Sequence, residues 1–341
     1  MKAKFSFALA IGAIVMTVAA TMSNATPLTK LIFALDWVIG GQHAPFFYAL
    51  KKGYFKDEGL DVQVVAGAGS ATVQQIAAGT YNMGYADVTF LIEFKGNNPQ
   101  QFDVKEVYMV QNDNPNSFIT LKKNHISDLA DLKGKRIAAA TVSGQRKAWP
   151  ILAKRLHLPP DYITWVNYAP TLGFQAVVRG QVDAAAAYPN QAGLMVAAGA
   201  KIDDVKIISF SSLGLNMYGN GIVTNGKFIK EHPDVVKRFV LAFNRGLRES
   251  VANPQAAVQA VLDSDQTLQP GPTATQFKLI IPNMVTPEVR KSGFGALNVE
   301  KLRQQIADMY DAYQLKAKPS VDDMYDPSFV PPADQRGVLS N

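Results

Sequence analysis

The 341-residue chain contains no cysteine and four histidines, His43, His125, His157 and His232. Without a thiol there is no cysteine nucleophile, no thiolate metal ligand and no disulfide. The histidines show neither i,i+4 pairing nor an HExxH run, which removes the usual helical zinc site. Gly67-Ala68-Gly69 lacks the third glycine and the later acid of a dinucleotide fingerprint, and no GxSxG or Walker A sequence occurs. These gaps predict a chain that is not an enzyme and needs neither cofactor nor metal. What the residues do offer is the chemistry of recognition. Asp36 and Asp87 can accept from an amine or a ring N–H, or fix a neighbouring loop. Trp37 can stack on a planar molecule or close the core, its place after an aspartate at a strand end favouring stacking, and Tyr188 offers a second ring. Arg146 can clamp a carboxylate or sulfonate bidentately, or lie in solvent. His43, near a helix start, reads as a polar loop residue or a contact.

A repeat decides where these residues sit. Gln74-Gln75-Ile76-Ala77-Ala78-Gly79, followed by Gly84-Tyr85-Ala86-Asp87, matches Gln175-Ala176-Val177-Val178-Arg179-Gly180, followed by Ala185-Ala186-Ala187-Tyr188, at one constant offset. Each copy reads as a helix opened by a hydroxyl cap (Ser70, Thr171), stopped by a glycine (Gly79, Gly180) and followed by a strand. Upstream, Leu31–Leu35 and Ile137–Ala140 are short apolar runs of the kind buried parallel strands show. Helices follow at about Ala44–Lys52, with Pro45 in its first turn and Gly53 as its stop, and at about Gly144–Leu156, opened by Ser143. Leu60–Val65 and Ile163–Asn167 add a strand to each copy. Two β-α-β-α-β units predict an α/β chain with two parallel sheets wrapped by helices.

Ligands of such sheets lie at the carboxyl ends of the strands, where helix N-termini present free N–H groups. In the first copy that rule selects Asp36, Trp37, the Gly67–Ser70 loop with Gly69 and Ser70, and Asp87. In the second it selects Thr141–Arg146 with Ser143 and Arg146, then Tyr168–Thr171, then Tyr188 and Asn190. Tyr188 takes the repeat position of Asp87 and is expected to set specificity.

After Asn220 the pattern changes to amphipathic helices at about Pro233–Val251, Pro254–Leu262 and Val299–Tyr313; Val236, Phe239, Val240, Phe243 and Leu247 share one face of the first. Pro319, Pro327, Pro331 and Pro332 mark the final stretch as an extended strap. At the other end, Lys2 and Lys4 precede an apolar run from Phe5 to Met22 and then Ser23-Asn24-Ala25, the pattern of a cleavable secretory signal. Its removal takes the formal charge from +6 to +4. No later segment is apolar for long enough to span a bilayer, and no Lys/Arg run has the length of a nucleic-acid patch. The expectation is a monomer in a Gram-negative periplasm, neither lipid-anchored nor membrane-embedded, with no nucleic-acid partner.

Asp36-Trp37, His43-Ala44-Pro45-Phe46, Lys52-Gly53-Tyr54-Phe55-Lys56-Asp57-Glu58-Gly59-Leu60, Gly69-Ser70 and Gly84-Tyr85-Ala86-Asp87 together resemble the NMT1/THI5-like family of ABC-importer binding proteins. That family includes thiamine-pyrimidine, alkanesulfonate, taurine and nitrate binders. The likeness continues through Asp128–Ile137 and His232-Pro233. It implies a type II periplasmic binding protein, with two lobes, each a mainly parallel sheet flanked by helices, and a cleft between them. One lobe would hold residues 26–119 and 221–341 and the other 120–220, after a signal peptide at 1–25. Asn112 and Tyr218 would fall near the two hinge crossings. The implied function is capture of a small planar molecule, such as a thiamine-precursor pyrimidine, by hinge closure, and delivery to ABC permease and ATPase subunits. A sulfonate or aromatic carboxylate is the alternative ligand, and an enzyme on the same scaffold the alternative function. The family's enzymes, a synthase with a Cys-rich motif and a desulfinase with a catalytic Cys, differ from this chain in having cysteine.

Overall fold

The computed structural model describes residues 27–100, 103–141, 143–169 and 172–339. The expected signal peptide and the expected cap Thr171 lie outside the described residues. The chain enters through β1 (Thr29–Ala34), α1 (Ala44–Lys51), α2 (Tyr54–Asp57), β2 (Leu60–Val65), α3 (Ser70–Ala77), β3 (Met83–Asp87), α4 (Val88–Asn97) and β4 (Val104–Met109). It then runs a parallel series: β5 (Ser117–Leu121), β6 (Arg136–Ala139), α5 (Gly144–Arg155), β7 (Thr164–Asn167), α6 (Leu172–Val178), β8 (Ala184–Ala187), α7 (Gly193–Ala197) and β9 (Val205–Ser209). It returns through β10 (Asn220–Asn225) into α8 (Gly226–Glu231), α9 (Pro233–Ala252), α10 (Pro254–Ser264), α11 (Pro270–Met284), α12 (Pro287–Ser292), α13 (Val299–Tyr313) and α14 (Val321–Met324).

Two five-stranded sheets result, in the orders β2-β1-β3-β10-β4 and β7-β6-β8-β5-β9. Matching the repeated strands makes these the same order, so the sequence repeat is also a repeat of topology. The sheets are mainly parallel, as expected, with one antiparallel strand in each. β1 is parallel to β2 and β3, and β6 to β7 and β8, but β10 and β5 run antiparallel to both of their neighbours. The cause is connectivity: β5 and β10 enter from the other lobe with no helical crossover to turn them.

Local chemistry explains most element ends. Gly79 and Gly180 end α3 and α6 with φ of +78° and +72°, a conformation that costs glycine little. Ser143 caps α5 by accepting from Arg146 N at 3.2 Å. Ser70, expected to cap α3, is instead its first residue. Gly69 holds the cap position, and no side chain caps that helix. Of the helices not foreseen, α4 and α11 are the longest. Asp87 ends β3 and at once caps α4, accepting from Thr89 N at 2.7 Å. In α11, Pro270, Pro272 and Pro282 read as breakers, yet the first two lie in the opening turn, where a missing N–H costs nothing. The C-terminal tail is only partly an extended strap: α14 and short 3-10 turns at Pro327–Phe329 and Ala333–Gln335 interrupt it.

The first lobe is cored by rings. Phe33 stacks on Phe239 at 4.8 Å, and Phe46 on Phe243 at 4.4 Å. The expected face of α9, Val236, Phe239, Val240, Phe243 and Leu247, is fully buried. α1 crosses α9 closely at Gly246, where an added Cβ would stand 2.5 Å from that of Ala49. The lobes touch on both flanks of the cleft. α11 reaches the Pro189–Ala192 turn and α7, while α13 packs on both α4 and α5. Lys147 of α5 meets both carboxylate oxygens of Glu93 of α4, at 2.8 and 3.0 Å. Among the described residues no helix is long and apolar enough to cross a membrane.

Candidate functional site

The floor of the cleft is built where β1 and β3 end. Two backbone bonds clamp the loop after β1 to the loop before α3: Gly69 N donates to Asp36 O at 2.7 Å, and Gly67 N to Trp37 O at 3.1 Å. Any side chain at position 67 would collide with Leu35 O, 1.6 Å from an added Cβ. The clamp aims the Asp36 carboxylate. Its Oδ1 lies 2.7 Å from His43 Nε2, and its Oδ2 accepts from Asn220 Nδ2 at 2.6 Å. His43 is fully buried, edge-on to the Tyr85 ring at 6.2 Å. It therefore sits behind Asp36 and orients it, as a partner rather than a wall of the cleft.

Asp87 is buried as well. Besides capping α4 it accepts weakly from Asn114 Nδ2, at 3.4 Å. Burial raises its pKa to about 6, opposed by the hydrogen bonds from Thr89 and reinforced by the charge of Asp36. Trp37 is 54% exposed. An added Cβ on Gly69, at φ +58°, would meet the Phe90 ring at 3.6 Å and the Trp37 ring at 3.9 Å, so the two rings flank a bare backbone.

The second lobe faces this floor with hydroxyls and an amide. A Cβ on Gly144 would lie 3.6 Å from Tyr188 Oη and 3.9 Å from Asn116 Oδ1, which brings the starts of α5 and β5 and the end of β8 together. The Tyr188 hydroxyl titrates well above the usual tyrosine range, chiefly through burial and then through the charges of Asp87 and Asp36. It thus looks across the cleft at both carboxylates. The hydroxyl of Tyr313, the last residue of α13, is pushed up by burial, Glu93 and Asp87, and it has no hydrogen-bond partner among the described residues. Asn190 lies in the turn that α11 covers, and its Oδ1 likewise has no hydrogen-bond partner among the described residues.

Three expected residues do not converge here. Arg146 donates to Asn167 Oδ1 at 2.5 Å and lies 5.6 Å over the Trp165 ring, so it is drawn to the edge strand β7. Asn112 donates to Ala296 O at 3.4 Å, and its carbonyl accepts from Lys301 Nζ. The Tyr218 hydroxyl accepts from Asn298 N at 2.6 Å beneath the Lys301 ammonium. Both are claimed by α13 and the segment before it. Sequence reasoning missed Asn114, Asn116, Phe90 and Tyr313. The asparagine-rich run Asn112-Asp113-Asn114-Pro115-Asn116 was a usable signal for two of them. Nothing local marks Tyr313. No group of three or more His, Asp or Glu among the described residues is arranged to hold a metal ion.

The profile of the family described as NMT1/THI5 like matches residues 41–257. The chain is 26% identical over 245 residues to a 4-amino-5-hydroxymethyl-2-methylpyrimidine phosphate synthase of Aspergillus parasiticus, covering 69% of this chain and 70% of that one. It is 24% identical over 272 residues to the riboflavin-binding protein RibY of Chloroflexus aurantiacus, covering 77% of this chain and 74% of the relative. It superposes on the periplasmic aliphatic sulphonate binding protein SsuA of Escherichia coli with a TM-score of 0.69, at 13% identity, over 90% of this chain and 95% of that one. That last likeness is one of fold. The synthase relatives overturn the expectation that the chain is not an enzyme. That expectation rested on missing motifs, above all on missing cysteine. Lack of a thiol removes thiolate chemistry alone; carboxyls, a His–Asp pair and tyrosine hydroxyls around a cleft are also proton-transfer groups.

Proposed function

Because the chain belongs to the NMT1/THI5-like family and holds two carboxylates at the floor of a cleft between two lobes, we propose that it captures a planar heterocycle bearing N–H groups, of the aminopyrimidine class, by lobe closure. The observation that carries this reading is the charge of the floor. Among the described residues neither Asp36 nor Asp87 is ion-paired to a lysine or arginine, and the nearby Lys147 is spent on Glu93. His43 and Asn220 occupy one acceptor site on each Asp36 oxygen; a carboxylate offers about four, so room remains for ligand N–H groups. The exposed Trp37 ring supplies a stacking surface. Tyr188 gains its contacts only when a ligand spans both lobes, which is how binding would favour the closed state.

The names of the relatives agree with this chemistry, since a pyrimidine and riboflavin are both planar nitrogen heterocycles. On this reading the hinge consists of the crossings from β4 to β5 and from β9 to β10. The loaded protein would work in the periplasm, after loss of residues 1–25, and deliver its ligand to an ABC permease. An organic acid fits less well, because Arg146 is engaged on β7. A second reading, reaction of the bound ring in the same site, is favoured by the synthase relatives.

A thermal-shift screen over aminopyrimidines, riboflavin, alkanesulfonates and nitrate tests the proposal, with mass analysis of the recovered ligand to separate capture from turnover. A cognate heterocycle at about a thousand times its dissociation constant should stabilise the protein by about 4 kcal/mol. Stabilisation by sulfonates and by no heterocycle would overturn it.

A further inference from the structure

The cleft has a polar corner that the carboxylates do not account for. Asn116, just ahead of β5, is 3% exposed, and its Oδ1 has no hydrogen-bond partner among the described residues. Its backbone is pinned: Asn116 N donates to Asn114 Oδ1 at 2.9 Å, and its carbonyl accepts from Phe210 N at 2.8 Å. The side chain is thus held in place with a buried acceptor unsatisfied, a costly arrangement unless something arrives to donate to it. Opposite stands Gly144, with no side chain to fill the gap, and beside both is Tyr188 Oη. Gly144 is the first residue of the twelve-residue α5. Ser143 Oγ takes the N–H of Arg146, while those of Gly144 and Gln145 have no acceptor among the described residues.

One corner therefore offers a lone acceptor next to free donors. A ligand group that donates and accepts at once satisfies both sides, as an alcohol does. A methyl does neither. A phosphate or sulfonate ester mainly accepts, leaves Asn116 Oδ1 unsatisfied, and brings negative charge toward Asp87 and Asp36. Building on the pyrimidine reading of this cleft, we propose that Asn116 is a specificity-determining residue that selects a hydroxyl-bearing heterocycle, the Asp36–Asp87 floor rejecting its phosphate or sulfonate ester.

Calorimetry with three probes tests this: 4-amino-5-hydroxymethyl-2-methylpyrimidine, its 5-methyl analogue and its phosphate ester. The hydroxymethyl compound should bind the parent protein on the order of tenfold tighter than the methyl analogue, the usual effect of one buried hydrogen bond. The ester should bind on the order of a hundredfold weaker than the alcohol, from like charge in a closed site. In Asn116→Ala the alcohol-to-methyl ratio should fall to about one, with the methyl analogue bound as in the parent. Equal affinity of alcohol and methyl analogue for the parent protein overturns the inference and leaves the pyrimidine site standing. An ester that binds tighter than the alcohol does the same. If none of the three binds the folded parent, the pyrimidine reading falls and this inference with it. The parent-protein ratios need no variant, so a folding defect in Asn116→Ala leaves the test intact.

Discussion

At equivalent ends of the repeat, the first lobe presents Asp87 and the second presents Tyr188, and the surroundings of the two differ in the same sense. In the first lobe both carboxylates at the cleft are already held. Asp36 is held by His43 and Asn220, and Asp87 by Thr89 and Asn114. In the second lobe and the hinge wall, Asn116 Oδ1 and Asn190 Oδ1 are buried and unsatisfied. One backbone frame has been used twice, once for a preorganised charged floor and once for a wall that gains its hydrogen bonds on closing. A rigid floor sets which ligands can dock, since its groups need no reorganisation. An unsatisfied wall sets how firmly the lobes close on them.

The sharpest way to break this contrast is to neutralise the floor without disturbing its frame. Asp87→Asn keeps a helix cap of equal quality but removes the charge, and it should weaken heterocycle binding by about 2–3 kcal/mol at pH 8 by calorimetry. The same variant reports on stability. The folded pKa of Asp87, about 6 against 3.8 for the free carboxyl, means that the folded state holds the proton more tightly. Stability should therefore be greatest in acid and decline as pH rises from about 4 to about 6. Ligand affinity should rise through that window, because only the ionised carboxylate accepts fully from N–H donors. Asp36 and the Tyr188 hydroxyl face this group, with Thr89 and Asn114 bonded to it. Denaturant melts of Asp87→Asn at pH 8 should show a gain of about 1–3 kcal/mol over the parent. A loss there would mean that the floor is a stability device.

Trp37→Ala comes next. It should cost about 1–3 kcal/mol of affinity and less than about 0.5 kcal/mol of stability, since the ring is exposed. On the wall side, Tyr188→Phe should cost about 0.5–1.5 kcal/mol of affinity, the value of one hydrogen bond. If Tyr188→Phe cost more than Asp87→Asn, the division between floor and wall would be reversed. Arg146→Ala, already engaged on β7, should change affinity by less than about 0.5 kcal/mol.

The same contrast explains what the sequence made legible. Asp36, Trp37, Asp87 and Tyr188 could be found because strand ends and glycine stops locate the cleft from local pattern alone. The two sheets followed from the repeat, but their strand order and the direction of β5 and β10 did not, since these depend on two chain crossings rather than on any local signal. Asn112 and Tyr218 were assigned to the site because they neighbour the hinge. Adjacency does not tell which face a side chain takes, and many residues later Lys301 of α13 and Asn298 just before that helix claim both. Tyr313 and Asn116 were missed for the converse reason: their place in the cleft exists only after α13 and β5 have packed.

The central claim is that the floor selects by negative charge. Titrating one aminopyrimidine and one alkanesulfonate into the parent protein and into Asp36→Asn, by calorimetry at pH 7.5, tests it most directly. The account predicts that the parent binds the pyrimidine and not the sulfonate, and that Asp36→Asn loses on the order of thirtyfold in pyrimidine affinity, the worth of a charge-assisted hydrogen bond. Binding of the sulfonate to the parent, strengthened in Asp36→Asn, would contradict it.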